Sequence, residues 1–134
     1  TDFPTPELLG RSVVLLMPHI GASTEEAEEN CAVMAANQLM DFLEDGNIRN
    51  SVNYPQIKMA RNGGTRITFS NRNVPKVLGS VLSILADSEL NVVDMVNKSR
   101  NDIAYNIIDI EGDFDASLKA KVAAVDGVVH VRII

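Results

Sequence analysis

The chain has 134 residues, of which 46% are hydrophobic and 22% are charged, an ordinary composition for one globular domain with an appendage. Its formal net charge is −6, and residues 1–50 hold nine acidic side chains against two basic ones. Binding to a phosphate backbone requires a basic surface, so nucleic acid is not an expected partner. No apolar run approaches the ~20 residues of a membrane helix. With a single cysteine, which cannot form an internal disulfide, these features predict a cytoplasmic protein that is not bound to a membrane.

Residues 1–46 predict a loop, a strand and a long helix. The first ten residues are rich in turn formers, and the continuous apolar run 13–17 is typical of a strand buried in a parallel sheet. Ser23 and Glu26 have the spacing of a capping box, and Gly46 supplies a stop, so we expect a helix over 23–45. The apolar residues of this helix occupy more than one stripe. We therefore expect other protein to cover much of its surface.

Residues 47–64 lack a sustained period and predict an interdomain linker. Beyond them, 65–71 predicts a strand, Pro75 begins an amphipathic helix, and 91–98 with 103–110 predicts a hairpin. Asp113 or Asp115 can cap a further helix, which ends at Gly127 before a last strand over 128–134. The predicted order is βαββαβ, the ferredoxin-like arrangement, in an α+β fold.

The run Pro18-His19-Ile20-Gly21-Ala22-Ser23-Thr24 resembles the catalytic-histidine motif of the D-2-hydroxyacid dehydrogenases. An acidic helix, the linker Asn50-Ser51-Val52-Asn53-Tyr54-Pro55 and the closing βαββαβ unit follow it, as in members of that family with a C-terminal ACT domain. The resemblance implies that 1–46 is the end of the NAD-binding and catalytic region, 47–64 a linker and 65–134 an ACT regulatory domain. The missing initiator Met indicates a piece of a longer enzyme.

For the full-length enzyme the resemblance implies NAD-dependent oxidation of 3-phosphoglycerate to 3-phosphohydroxypyruvate, the first step of L-serine synthesis. His19 matches the acid/base histidine, Glu7 is the candidate for its carboxylate partner, and His19, Gly21 and Ala22 are candidates for contact with NAD. No Gly-x-Gly-x-x-Gly run is present to hold the cofactor's phosphates. We therefore expect no cofactor and no catalysis in these residues alone, where His19 would be an ordinary loop residue.

The resemblance also implies that a small amino acid, L-serine first of all, binds between two ACT domains paired as a homodimer. Asn73 and Asn91 match two serine-contacting asparagines of the family. Asn71 and Lys76 stand where serine-inhibited members have His and Gly, so the identity of the ligand stays open.

The residues of this region also permit a plainer interpretation. Asn73 can be a helix cap and Asn91 a turn residue, in an effector-free structural module that only oligomerises through an open sheet edge. His130 is expected on the sheet surface. No metal site is predicted, because no second ligand has a suitable spacing with His130.

Overall fold

The computed structural model describes all 134 residues, which form two compact units, Thr1–Asn37 and Gln38–Ile134. A 3-10 turn, Pro6–Leu8, is followed by α1 (Glu25–Asp45), β1 (Thr65–Arg72), α2 (Val77–Asp87), β2 (Asn91–Arg100), β3 (Ile103–Glu111), α3 (Leu118–Ala123) and β4 (Val128–Ile133). The division between the units falls inside α1. None of these helices combines the length and the apolar character needed to cross a membrane.

In the first unit, residues 13–17 do not form a strand, so that prediction is wrong. Val13 is 90% exposed and Leu15 is 75% exposed. A strand of a parallel sheet is held by hydrogen bonds to its neighbours along its length. Here Thr1 is the only residue from elsewhere in the chain that bonds to the run, at 2.9 Å to the Leu15 carbonyl and 3.1 Å from the Met17 N–H. An apolar run alone therefore does not make a strand.

The start of α1 is also shifted from its predicted place. Thr24, not Ser23, caps the helix: the Thr24 hydroxyl accepts a hydrogen bond from the backbone N–H of Ala27 at 3.2 Å. The helix accordingly begins at Glu25. No residue of α1 is fully buried. Phe42 packs on the second unit, and most of the other apolar surface that we expected other protein to cover stays open in this chain.

The second unit contains one four-stranded sheet in the order β2-β3-β1-β4, with every neighbouring pair antiparallel. Together with the element order, this arrangement confirms the predicted ferredoxin-like α+β fold. Alternate residues of the strands point towards α2 and α3 and form the main core. Its buried members are Ile67, Phe69, Val81, Leu85, Leu90, Ile108, Ile110, Leu118, Val122 and Val131.

The segment that was predicted as a linker packs on the opposite face of the sheet. Ile48 and Ile57 form an antiparallel bridge, with N···O distances of 2.9 and 3.0 Å. Both are buried, with Met59, against Tyr105 and Ile107 of β3. The sheet therefore has an apolar core on each face, and residues 47–59 belong structurally to the second unit.

A buried arginine joins the parts of this second core. Arg66 of β1 forms a two-pronged ion pair with Asp109 of β3, at 2.6 Å from Nε and 2.8 Å from Nη2. Its remaining N–H groups donate to the carbonyls of Asp45, Met59 and Ala60 at 2.9–3.0 Å. The Arg66 and Asp109 side chains are 1% and 2% exposed. The hydrogen bond to Asp109 raises the pKa of Arg66, so the guanidinium stays charged.

Arginines also bind the last carbonyls of α1, of which the Phe42 carbonyl accepts in addition from the Gly46 N–H at 3.0 Å. Arg132 of β4 donates to the carbonyls of Phe42 and Leu43 at 2.9 and 2.7 Å, and Arg61 donates to the carbonyl of Glu44 at 3.2 Å. With the bond from the buried guanidinium, each carbonyl of the last four helical residues has a cationic donor. This arrangement also complements the negative end of the helix dipole.

We expect Asp109→Ala to lower the free energy of unfolding by about 3–5 kcal/mol, because it leaves the Arg66 charge buried without its partner. Urea unfolding of the chain followed by circular dichroism measures the change. Glu111→Ala is the matched control, since it removes an exposed carboxylate from the end of the same strand. Equal stability of the two variants would contradict the role given to the buried pair.

Candidate functional site

His19 lies in an open depression of the first unit, beside Asp2. The His19 Nδ1 atom is 2.5 Å from Asp2 Oδ2, and the Phe3 ring centroid is 4.6 Å from that of the imidazole. The hydrogen bond to His19 lowers the pKa of Asp2, so this carboxylate is ionised at neutral pH. The imidazole is therefore held by a carboxylate and an aromatic ring, with 61% of its side chain exposed.

Glu7, the predicted partner of His19, lies elsewhere. It is part of the 3-10 turn Pro6–Leu8, and a hydrogen bond from the Thr5 side chain lowers the pKa of its carboxyl group. The structure therefore brings Asp2 to His19 and does not bring Glu7 there. Asp2 and Glu7 are the only carboxylates that precede His19, so the sequence limited the candidates to these two. Their spacing did not show which of them contacts His19.

The residues around His19 do not fit a dinucleotide by themselves. Gly21 and Ala22 line the same open depression. The next helix, α1, has Glu25, Glu26 and Glu28 in its first turn. A helix N-terminus can bind a diphosphate, but these three negative charges would repel it. Within these residues no group is placed to cradle NAD, and no hydride-transfer step follows from their geometry.

Asn71 belongs to a ladder of asparagine side chains across three strands, which is buried at Asn71 and Asn106 and exposed at Asn97. Its Oδ1 accepts from Asn106 Nδ2 at 2.8 Å, and its Nδ2 donates to the Arg72 carbonyl at 2.6 Å. Asn106 Oδ1 accepts in turn from Asn97 Nδ2 at 2.6 Å. Asn71 is 3% exposed, so its side chain supports the sheet and is shielded from a ligand at the surface. Asn106 was not predicted from the sequence. Its position as a polar residue within the apolar strand β3 could have indicated a structural role.

Asn73 and Lys76 are exposed in the loop between β1 and α2. The Asn73 side chain donates to the carbonyl of Asn101 at 3.1 Å, and its backbone N–H donates to the carbonyl of Asp102 at 2.8 Å. Asn73 is therefore tied to the β2–β3 turn and does not cap α2. Lys76 has a left-handed backbone, with φ of 76°, which delays the start of α2 beyond the predicted Pro75.

Asn91 is far from these residues within one chain. It opens β2 and pairs with Glu111, whereas Asn71 pairs with Ala104 seven residues earlier along β3. At a rise of ~3.4 Å per residue, the two positions are roughly 24 Å apart along the strand. The four predicted effector residues therefore do not form one site in a single copy of the chain.

The second unit is a ferredoxin-like α+β domain, and the first contains the run around His19 that resembles the histidine motif of the hydroxyacid dehydrogenases. Among curated proteins, the chain is 34% identical over 123 residues to D-3-phosphoglycerate dehydrogenase of Escherichia coli K12, covering 90% of the chain and 30% of that enzyme. It is 33% identical over 121 residues to the enzyme of Dictyostelium discoideum, covering 90% and 29%. The chain is thus homologous to the C-terminal part of D-3-phosphoglycerate dehydrogenases, which confirms the predicted kinship, and it spans about 30% of their length.

Solved structures with similar coordinates include two ACT domains. One is from GTP pyrophosphokinase of Chlorobium tepidum, with a TM-score of 0.47 and 15% identity over 52% of this chain and 95% of that one. The other is an ACT domain protein from Streptococcus pneumoniae, with a TM-score of 0.45 and 14% identity over 52% of this chain and 85% of that one. No protein-family model matches the chain. The fold is assigned from its own strand order and pairing.

We expect Lys76→Gly to raise the free energy of unfolding by about 0.5–1 kcal/mol, because glycine adopts the left-handed backbone without the cost that a Cβ imposes. Lys76→Ala is the control. It also removes the ammonium group but keeps the Cβ, and should leave stability nearly unchanged. Thermal unfolding of both variants measures the change in stability. An equal gain in both would mean that loss of the ammonium charge, and not the backbone conformation, stabilises the fold.

Proposed function

We propose that the chain is the regulatory part of an NAD-dependent phosphoglycerate dehydrogenase, whose residues 65–134 act as an ACT domain. This domain pairs with a second copy and binds a small amino acid, with L-serine as the first candidate. The observation that carries the proposal is the placement of Asn73 and Asn91 at opposite ends of the domain. Two copies related by a two-fold axis can bring these ends together, whereas one copy cannot.

The free edge of β2 supports pairing of this kind. β2 is the end strand of the sheet and pairs only with β3, so the other edge of its ten residues has unpaired backbone groups. Val93 and Met95 on this strand are 46% and 37% exposed. Antiparallel pairing of two β2 strands would extend the sheet to eight strands and bury these side chains in a self-complementary interface.

The same pairing would assemble an amino-acid site. An antiparallel β2 pair sets the start of one strand, at Asn91, beside the end of the other, at Arg100. The adjoining turn holds Asn73 through the Asn101 carbonyl. Amide oxygens of Asn73 and of the partner copy's Asn91 can accept from an ammonium group, while Lys76 and the N–H groups that begin α2 can meet a carboxylate.

For the whole enzyme, which we propose to be cytoplasmic, we assign acid/base chemistry to His19. The imidazole would take the proton of the substrate hydroxyl as hydride passes to NAD, and a carboxylate would hold the ring in position. The contact between His19 and Asp2 supports Asp2 for that role, in place of Glu7, the candidate from the resemblance. Without a cradle for NAD, the 134 residues alone should form no NADH from 3-phosphoglycerate.

The second candidate function is that of a structural assembly module without effector. Two observations favour it: Asn71 is buried and hydrogen-bonded within the sheet, and Lys76 puts a long side chain where serine-inhibited members have Gly. Both candidates need the same dimer, so they differ only in ligand binding.

We expect Val93→Lys to convert the dimer to a monomer. In a pair that sets Asn91 beside Arg100, residue 93 lies opposite the partner copy's Lys98, so the change places two like charges directly across the interface. Val129→Lys on β4 is the matched control, since it makes the same change at an exposed residue of the opposite edge strand. Sedimentation equilibrium measures the association constants. A monomeric parent chain, or equal loss in both variants, would overturn the proposed interface.

We expect isothermal titration with L-serine to give a saturable signal at one ligand per chain, with glycine as the control ligand. Lys76→Gly and Lys76→Ala then separate two roles of the lysine. If the ammonium group binds the carboxylate, both variants weaken binding, and if Lys76 obstructs the ligand, Lys76→Gly strengthens it. No signal for the parent chain or for Lys76→Gly would leave the assembly module as the function.

A further inference from the structure

A cavity of about 390 Å³ opens on the sheet face that points away from α2 and α3. Its floor is formed by strands β1, β3 and β4, and its walls are the last turns of α1 and residues 47–54, all within the second unit. This volume lies in the range of about 300–1,000 Å³ that small-molecule sites occupy in proteins. The cavity is distinct from the proposed amino-acid site, which lies at the ends of β2.

The apolar part of the lining is aromatic. Phe42, Tyr54 and Tyr105 contribute rings, and the two tyrosines meet edge to face at 6.0 Å between centroids. Tyr105 is fixed by the hydrogen bond from its hydroxyl to the carbonyl of Gly46 at 3.0 Å, and burial raises its pKa, so it stays neutral. Walls of this kind favour a flat apolar ligand, because rings stack and pack with defined geometry.

The charged side chains that line the cavity are two arginines. Arg49 is paired with Asp41 at 2.9 Å, which leaves Arg132 as the cation without a carboxylate partner, and no Asp or Glu lines the cavity. His130 adds a ring nitrogen to the same lining. The Arg132 guanidinium is held 4.6 Å above the Phe42 ring and uses two of its N–H groups on helix carbonyls. A guanidinium has five N–H groups, so three remain for a ligand. A fixed cation beside aromatic walls favours an anion.

From this lining we infer that the cavity is a second ligand site, which takes a small aromatic carboxylate with its ring among Phe42, Tyr54 and Tyr105 and its carboxylate towards Arg132 and His130. The hydroxyls of Thr68 and Ser70 on the floor supply further polar contacts. Because the ligand would touch both the end of α1 and the sheet, its binding would hold the two together. This inference does not depend on the serine proposal, since the two sites share no residue.

Indole-3-acetate is a suitable probe, and the ¹⁵N-labelled 134-residue chain reports where it binds. We expect saturable shifts of the amide signals of Thr68, Ser70 and His130. The neutral analogue indole-3-acetamide should bind about tenfold more weakly, because it has the same ring without the charge. Saturating L-serine should not displace the probe.

Two tryptophan variants test the location of the probe. Leu39→Trp should block the cavity, because Leu39 lines it and is 56% exposed, so a larger side chain can enter without disturbing the core. Met40→Trp is the matched control: it adds the same side chain at the next residue, which is 52% exposed and does not line the cavity. We expect Leu39→Trp to weaken binding about tenfold or more and Met40→Trp to leave it unchanged.

The other outcomes overturn the inference in distinguishable ways. Absence of saturable shifts, or equal binding by the two tryptophan variants, means that the cavity is not a site for this probe. Equal binding of the acid and the amide removes the role of Arg132 and His130. Displacement by L-serine would mean that the cavity is itself the amino-acid site.

Discussion

The second unit depends on the buried guanidinium of Arg66. A charge in the interior is costly unless its partners satisfy it, and here Asp109 and three backbone carbonyls take up all its N–H groups. Those carbonyls belong to the end of α1 and to the segment before β1. The ion pair between two neighbouring strands therefore fixes what lies over them, and neither α1 nor the segment can detach without leaving the arginine unsatisfied.

This constraint gives the sheet two different faces. On one, α2 and α3 bury aliphatic side chains, as the amphipathic pattern requires. On the other, residues 47–59 and the last turns of α1 cover only part of the surface, and the uncovered part is the cavity lined by Arg132 and His130. A single sheet can thus carry a ligand site on its open face while its β2 edge remains available for a second copy.

The sequence predicted regular elements well where the period was sustained. The strands of the βαββαβ unit agree with their predicted positions to within two residues, because alternation comes from one core face. The helix α3, Leu118–Ala123, is shorter than predicted between Asp113 or Asp115 and Gly127. Prediction was wrong for residues 13–17, because an apolar run does not show whether a neighbouring strand exists. It was inaccurate at the start of α2, where the left-handed backbone of Lys76 has no sequence signature.

The sequence alone determined the relationship to the dehydrogenases, through the run around His19, and the fold class. Both depend on patterns among residues that are close together in the chain. Only the tertiary structure decided which groups meet: Asp2 rather than Glu7 at His19, Asn71 within the asparagine ladder, and Asn91 at the far end of the sheet from Asn73. Those contacts join residues that are distant in the chain. Most of them are set by the register of the strands, which cannot be predicted from local sequence patterns.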